Sequence, residues 1–117
     1  MVNYRVGGLE IRGDDEFNSL LKNTLHHWPY WNDATSKRVN PYGDGWRLPT
    51  LSELKFISNI LFSNETGNFS NAIGYWTGDF DNGPTPLPRV IFYYLSNRHN
   101  WTTPSSYYRI RLVRNIR

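Results

Sequence analysis

The residues of this chain that are best suited to chemistry lie in its last third. Asp79 and Asp81, followed by Asn82 and Gly83, offer oxygen ligands at alternate positions and a glycine for a sharp turn. That arrangement begins a calcium-binding loop, but the bidentate glutamate that closes such a loop is missing. We therefore favour a turn held by Asp and Asn side-chain hydrogen bonds, with calcium binding as the alternative.

The three histidines are not spaced as metal ligands. His26 and His27 are adjacent and fall in a stretch that we predict to be helical, where neighbouring side chains point about 100° apart. His99 lies in a later polar stretch. Zinc needs three or four converging ligands, so we predict neither a metal site nor a cofactor.

The sequence contains few residues and motifs that are suited to covalent catalysis. The 117 residues include no cysteine, which excludes thiol nucleophiles, disulfides and cysteine-based metal sites. No Gly-x-Ser-x-Gly motif is present. The carboxylates are few, and most stand at predicted helix starts, where capping explains them. We predict that the protein is not an enzyme.

The composition favours a small binding domain. Aromatic residues make up 16% of the chain, and both cores and recognition surfaces use them. The net charge of +3 is smaller than a dedicated nucleic-acid-binding domain usually carries. No apolar run approaches the roughly 20 residues of a membrane-spanning helix, so we expect no membrane insertion. We expect one domain over residues 1–117.

Hydrophobic periodicity predicts two main helices. The first runs from Phe17 to Trp28, with apolar residues at spacings of three and four. The second begins after Thr50, a good N-cap, and Glu53 completes a capping box. Its apolar stripe runs from Leu51 to Leu61. A short helix from Asn32 to Val39 is a further prediction.

The remaining stretches are predicted to be strands and loops. Alternating apolar residues predict strands at 2–6 and 9–12, and a last strand at 107–116 with one basic face. Residues 74–78 and the apolar run 89–95 are predicted strands, and the run 89–95 is the central one. The polar stretches 79–88 and 96–106 are predicted loops. Strands, then helices, then strands indicate an α+β fold with an antiparallel sheet.

The stretch from Gly43 to Leu54 is predicted to be structural. Gly43 and Gly45 allow backbone angles that are closed to other residues. We expect Trp46 in the core, and we expect Arg47 to hydrogen-bond to the backbone or to Glu53. Function is therefore sought beyond this stretch.

Three motifs in this order resemble one protein family. They are Gly45-Trp46-Arg47-Leu48-Pro49-Thr50 with Glu53-Leu54, then Tyr75-Trp76-Thr77, and finally Tyr108 to Arg114. These motifs are similar to those of the DUF1566 or Lcl C-terminal domain family. The resemblance implies a C-type lectin-like fold, in which the chain ends pair in one sheet, two helices flank it and a second small sheet carries long loops. It also implies a bacterial surface, secreted or phage protein that acts in binding or adhesion.

The favoured function is recognition of a glycan or a protein by the loops that follow Trp76, in a receptor-binding or adhesion domain. The side chains that we expect to contact the ligand are Asp79, Asp81, Asn82, Arg98, His99, Trp101 and Tyr107. The alternative is a phage-encoded inhibitor or regulator that binds a host protein or nucleoprotein inside the cell. Residues 1–12 lack the apolar core of a signal peptide, so we expect synthesis in the cytoplasm, with the virion or cell surface as a further location.

The C-terminal arginines allow two interpretations. With the nearby aromatic residues they form a surface for single-stranded nucleic acid or a phosphorylated glycan. Alternatively, the three arginines of the last motif stabilise the fold by pairing with acidic residues, and the candidates are Arg109, Arg111 and Arg114 with Asp14, Asp15 or Glu53. We favour the structural role, so nucleic acid is a less favoured partner than a protein or a glycan.

Overall fold

The computed structural model describes residues 3–29, 32, 40–43, 45–62, 65–70, 73–80, 89–94 and 96–116. These residues form one α-helix and two three-stranded antiparallel sheets, which confirms the predicted α+β class. In chain order the elements are β1 (Tyr4–Val6), β2 (Leu9–Ile11), α1 (Leu51–Ile60), β3 (Tyr75–Phe80), β4 (Arg89–Tyr93), β5 (Arg98–Thr102) and β6 (Val113–Asn115).

The first sheet pairs the two ends of the chain, as predicted. β1 and β2 form a hairpin around Gly7, whose φ of +57° is readily adopted by a residue without a Cβ. β2 lies between β1 and β6, with Ile11 opposite Val113. Both of these side chains are fully buried, so the pairing brings apolar residues from the two ends into one core.

α1 forms where it was predicted, because a capping box fixes its start. The Thr50 hydroxyl accepts a hydrogen bond from the Glu53 N–H at 3.1 Å, and the Glu53 carboxylate accepts one from the Thr50 N–H at 2.9 Å. Leu54 and Ile57 are fully buried on the inner face of the helix. That face packs against the second sheet.

The second sheet is covered by apolar residues on both faces. Its central strand is β4, as predicted, and Tyr75 and Trp76 of β3 lie opposite Phe92 and Ile91 of β4. Because successive residues of a strand point to opposite faces, neighbours along β3 enter different cores. Tyr75 and Phe92 join the cluster covered by α1, whereas Trp76 and Ile91 join a second cluster.

The chain after β5 connects the two sheets. Arg109 forms backbone hydrogen bonds with Gly74 and Trp76, at 3.0 and 2.9 Å, and so lies beside β3. Four residues later, Val113 exchanges two backbone hydrogen bonds with Arg47 and enters β6 in the first sheet. One short segment thus contributes backbone pairing to both sheets.

The prediction of a single strand over 107–116 with a basic face is wrong. Regular strand is limited to β6, because the segment changes its backbone partners along its length. Ile110 and Leu112 are buried as expected, but Arg111 between them is 0% exposed. Alternation therefore does not separate an apolar face from a solvent face here.

The predicted helix from Phe17 to Trp28 is also wrong. Residues 17–29 contain no helix, and the chain reverses between Asn18 and Asn23, which bridge each other. The Asn18 side chain accepts hydrogen bonds from the N–H groups of Leu20 and Leu21, in place of helical backbone bonds. Leu20 is 92% exposed, so the spacing of apolar residues does not mark a buried face.

Long-range pairing keeps the end of this segment extended. His26 exchanges two backbone hydrogen bonds with Tyr108, at 2.8 and 2.9 Å. The Trp28 N–H donates to Pro104 O, and the Trp28 indole donates to Thr77 O at 3.1 Å. Trp28 is therefore buried in the second core through partners that are far away in the sequence.

The predicted loop at 96–106 is wrong in its first half, because residues 98–102 form β5. This strand pairs with β4 in an unbroken antiparallel register. The sequence of β5 is polar, because an edge strand needs few buried side chains, and hydrophobic patterning therefore did not predict this strand. Asp79 likewise belongs to β3 and not to a loop. The rest of that predicted loop, residues 81–88, lies outside the described residues, and so do residues 33–39 of the predicted short helix.

Candidate functional site

The edge strand β5 positions three of the predicted ligand-contacting residues. His99 and Trp101 point to the same face of the sheet, and Arg98 points to the opposite face. All three are exposed, and Trp101 is 50% exposed. Two rings that suit an interface are thus held two residues apart on a regular strand rather than on a loop.

One backbone N–H of β5 is hydrogen-bonded to a side chain of the same strand. The Trp101 N–H donates a hydrogen bond to Asn100 Oδ1 at 2.8 Å. A bonded N–H is less available to an added strand. The exposed side chains of β5 are therefore the groups that we consider for recognition.

Tyr107 is exposed and stacks on His27. The two ring centroids are 4.0 Å apart, with an angle of 30° between the ring planes. The hydroxyls of Thr102 and Ser106 are 2.8 Å apart, and this hydrogen bond closes the loop after β5. The predicted contact residue Tyr107 is therefore held next to the end of β5. The stacking on His27 was not predicted, because His27 was assigned to a helix.

Asp79 is connected to the start of α1. Its Oδ2 accepts a hydrogen bond from the N–H of Leu51 at 2.8 Å, and its own N–H donates to Thr77 Oγ1 at 3.1 Å. A carboxylate at this position satisfies a free N–H and complements the helix dipole. Asp79 thus caps α1, while the predicted contacts Asp81 and Asn82 lie outside the described residues.

A second candidate site is a cleft of about 430 Å³, which is within the size range of small-ligand sites. It contains none of the predicted contact residues. Polar and aromatic side chains from distant parts of the chain line it, and they are Asp14, Asp15, Phe17, Thr24, Asn68, Phe69, Ser70 and Arg109.

Asp15 is held firmly at this cleft by four donors. Its Oδ1 accepts hydrogen bonds from Arg111 Nε and Nη2 at 3.1 and 2.9 Å. Its Oδ2 accepts from the Tyr75 hydroxyl at 2.8 Å and from Arg109 Nη1 at 3.1 Å. Charge-assisted hydrogen bonds of this kind are among the stronger ones in proteins. Asp15 is therefore a structural group rather than one that is free for a ligand.

The buried guanidinium of Arg111 is also satisfied by backbone carbonyls. Its Nη1 donates to Gly67 O and Arg12 O, and its Nη2 donates to Asn68 O. The guanidinium carbon lies 4.1 Å from the centre of the Phe69 ring. A buried charge is tolerated when it is paired and fully hydrogen-bonded, and Arg111 meets both conditions.

The C-terminal arginines are used inside the domain. Arg109 and Arg111 pair with Asp15, which confirms the predicted structural role for these two. Arg114 pairs with Glu10, which had not been considered, and its guanidinium lies 4.6 Å from the centre of the Trp46 ring. These pairings leave less positive charge for phosphates than the sequence suggests.

Burial shifts the pKa values of two groups beside this network. It lowers the pKa of His26, whose ring Nε2 lies 2.9 Å from Glu16 O, so the neutral ring that donates to this carbonyl is favoured. Burial also raises the pKa of the Tyr75 hydroxyl well above its ordinary range. The hydroxyl therefore stays protonated and donates to Asp15.

The cleft was not predicted, because its parts are distant in the sequence. Asp15 and Arg111 are 96 positions apart. The acidic run at 14–16 was interpreted as a helix start, which hid its role beside the C-terminal arginines. The sequence-based prediction that came nearest to the cleft was the pairing of these arginines with Asp14 or Asp15.

Two comparisons of the sequence with known proteins give no match. Comparison of the sequence with protein-family models finds no match, and comparison with curated proteins finds none either. The resemblance to the DUF1566 family therefore rests on the three motifs alone. Across the part of the chain that the structure describes, no three acidic or histidine side chains could jointly hold a metal ion, and no helix is long and apolar enough to cross a membrane.

Proposed function

We propose that this protein is a non-enzymatic recognition module of bacterial or phage origin, which binds a glycan or a protein through β5 and Tyr107. The observation that carries the proposal is Trp101, which is half exposed on an edge strand. A large ring with few rotatable bonds provides contact area at a low entropic cost, and such residues dominate binding energies.

The neighbours of Trp101 support this assignment. His99 lies on the same face of the strand, and its ring carries polar nitrogens at its edge. Tyr107 stands next to the end of β5 and is 46% exposed. Apolar ring faces with polar edges suit both a sugar and a protein surface. We also propose contacts from Arg98, which points to the opposite face of β5, and from Asp81 and Asn82 of the predicted loop.

A C-type lectin-like architecture of the DUF1566 type is part of the proposal. The pairing of β2 with β6 and the separate second sheet agree with that resemblance. One flanking helix, α1, agrees with it as well, whereas the other is not found among residues 17–29. Receptor binding or adhesion is the role that the resemblance suggests.

A glycan array and affinity capture from bacterial lysates, both with the intact protein, test the proposal. We expect a group of related glycans on the array, or one cell-surface protein captured in stoichiometric amount, and we expect Trp101→Ala to weaken either signal strongly. A blank array with no captured protein contradicts recognition. A blank array with capture of one intracellular host protein supports the inhibitor alternative instead.

Phe56→Ala is the matched control for this experiment. Phe56 is 45% exposed, comparable to Trp101, but it lies on α1 with its ring beside Gly7. Removing it deletes a similar area of exposed apolar surface away from β5. Binding that falls equally in the two variants would contradict a specific role for Trp101.

A further inference from the structure

The cleft has hydrogen-bonding groups that the fold leaves unused. Among the described residues, Arg109 donates through Nη1 to Asp15 and Thr24, but its Nη2 donates to no group. Thr24 accepts that bond and so keeps its own hydroxyl proton to donate. The Asn68 amide donates to Asp14 Oδ1, which leaves Asn68 Oδ1 and Asp14 Oδ2 as acceptors. Unused donors and acceptors therefore stand together at one cleft.

The charges around the cleft balance each other. Arg109 and the buried Arg111 carry positive charge, while Asp14 and Asp15 carry negative charge. A phosphate would meet the Asp14 carboxylate, and a cation would meet the Arg109 guanidinium. Electrostatic complementarity therefore favours a neutral ligand over an ion of either sign.

Two phenyl rings provide the apolar part of the cleft. Phe69 packs on Arg111 and on Tyr94, so it contributes mainly its ring edge, whereas Phe17 is 62% exposed there and offers an open ring face. A phenyl face packs against the C–H face of a sugar ring. Each sugar hydroxyl both donates and accepts, which matches the mixed groups of Arg109, Thr24, Asn68 and Asp14. We infer that the cleft binds a neutral saccharide, at a site separate from β5 and beyond the function proposed for that strand.

An NMR titration of the ¹⁵N-labelled protein tests this inference. The probes are D-glucose, D-galactose, D-mannose and N-acetyl-D-glucosamine, each added separately up to its solubility limit, with inorganic phosphate as an anionic probe. We expect at least one sugar to shift the backbone amide signals of residues 14–17 and 68–70 in a saturable manner. The inference is overturned if none of the sugars does so, or if phosphate alone does.

Variants separate this site from the surface at β5. Asp14→Ala is expected to weaken sugar binding about tenfold, the lower range for a lost hydrogen bond to a charged group. Phe17→Ala is expected to weaken it as well, whereas Leu20→Ala, three residues away and outside the cleft, should leave it unchanged. Trp101→Ala should also leave it unchanged, so failure at one site is distinguishable from failure at the other. Unaltered binding by Asp14→Ala, or equal weakening by Phe17→Ala and Leu20→Ala, contradicts the inference.

Discussion

Asp15 holds the buried Arg111 through two hydrogen bonds to one oxygen, at 2.9 Å from Nη2 and 3.1 Å from Nε. The side chain of Arg111 is 0% exposed and that of Asp15 is 8% exposed. The same carboxylate accepts from Arg109 and from Tyr75 of β3. Three distant parts of the chain thus meet at one carboxylate, which anchors them to one another.

Asp15→Asn is expected to destabilise the protein by about 3–5 kcal/mol, because it leaves the buried charge of Arg111 without its counterion. Urea unfolding at neutral pH measures the change. The double variant with Arg111→Met should lose less stability than the sum of the losses in the two single variants, since it removes both charges. Strict additivity would contradict the coupling. Asp14→Asn, the neighbouring carboxylate outside this ion pair, should change stability by no more than about 0.5 kcal/mol.

Trp46→Ala is expected to destabilise the domain by about 3–5 kcal/mol, because Trp46 is a buried member of the second core. The guanidinium carbons of Arg12 and Arg114 also lie over its ring, at 4.3 and 4.6 Å from the ring centre. Thermal and urea unfolding measure the loss, and Trp46→Phe should keep more of the stability than Trp46→Ala. A folded Trp46→Ala variant of unchanged stability would show that Trp46 is not a core residue.

Gly67→Ala is expected to destabilise by about 1–3 kcal/mol. The φ of Gly67 is +86°, and an added Cβ would overlap the ring of Phe69, which packs on Arg111. The matched control is Gly8→Ala, because a Cβ at Gly8 meets no atom within 4 Å. Urea unfolding should show a clear loss for Gly67→Ala and little change for Gly8→Ala. Equal effects would contradict the packing argument.

Glu53→Gln is expected to destabilise at neutral pH by about 1 kcal/mol. The hydrogen bonds from Arg47 hold the pKa of Glu53 below its ordinary value of 4.5. A lowered pKa in the folded state adds stability above pH 4.5, and that stability is lost as the pH falls through the folded-state pKa. Unfolding followed across pH should therefore show the wild type and Glu53→Gln converging in acid. A difference that is constant with pH would contradict the ion pair.

Glu16→Gln is expected to show the opposite dependence of stability on pH in the same experiment. Burial raises the pKa of Glu16, so the folded state disfavours its ionised form. The wild type therefore loses stability relative to Glu16→Gln as the pH rises through the unfolded-state pKa and up to the folded-state pKa. The two variants should show opposite trends over the acidic range.

Local signals in the sequence predicted α1 and its surroundings well. Thr50 and Glu53 lie three residues apart, so their capping box needs no distant partner. Arg47 was expected to bond to the backbone or to Glu53, and it does both: Nη1 donates to Leu48 O at 3.2 Å and to Glu53 Oε1 at 2.7 Å. The two strands on either side of Gly7 and the central position of β4 were predicted on the same local grounds.

Where distant partners decide the structure, the sequence misled. The stripe from Phe17 to Trp28 has helical spacing, but Asn18 bonds to its own turn and His26 pairs with Tyr108. Arg111 was placed on a solvent face, because the carboxylate that balances its buried charge lies 96 positions away. Likewise, Trp101 was expected on a loop, and the strand that carries it became visible only through its pairing with β4.

The most direct test of recognition at β5 is to measure binding and unfolding of Trp101→Ala together, using the ligand obtained from the glycan array or the affinity capture. Because Trp101 is half exposed and belongs to neither core cluster, its loss should change the free energy of unfolding by no more than about 0.5 kcal/mol. Its loss should weaken binding by at least about thirtyfold, as expected for an aromatic anchor contributing about 2 kcal/mol. Wild-type affinity in a folded Trp101→Ala variant would contradict the account.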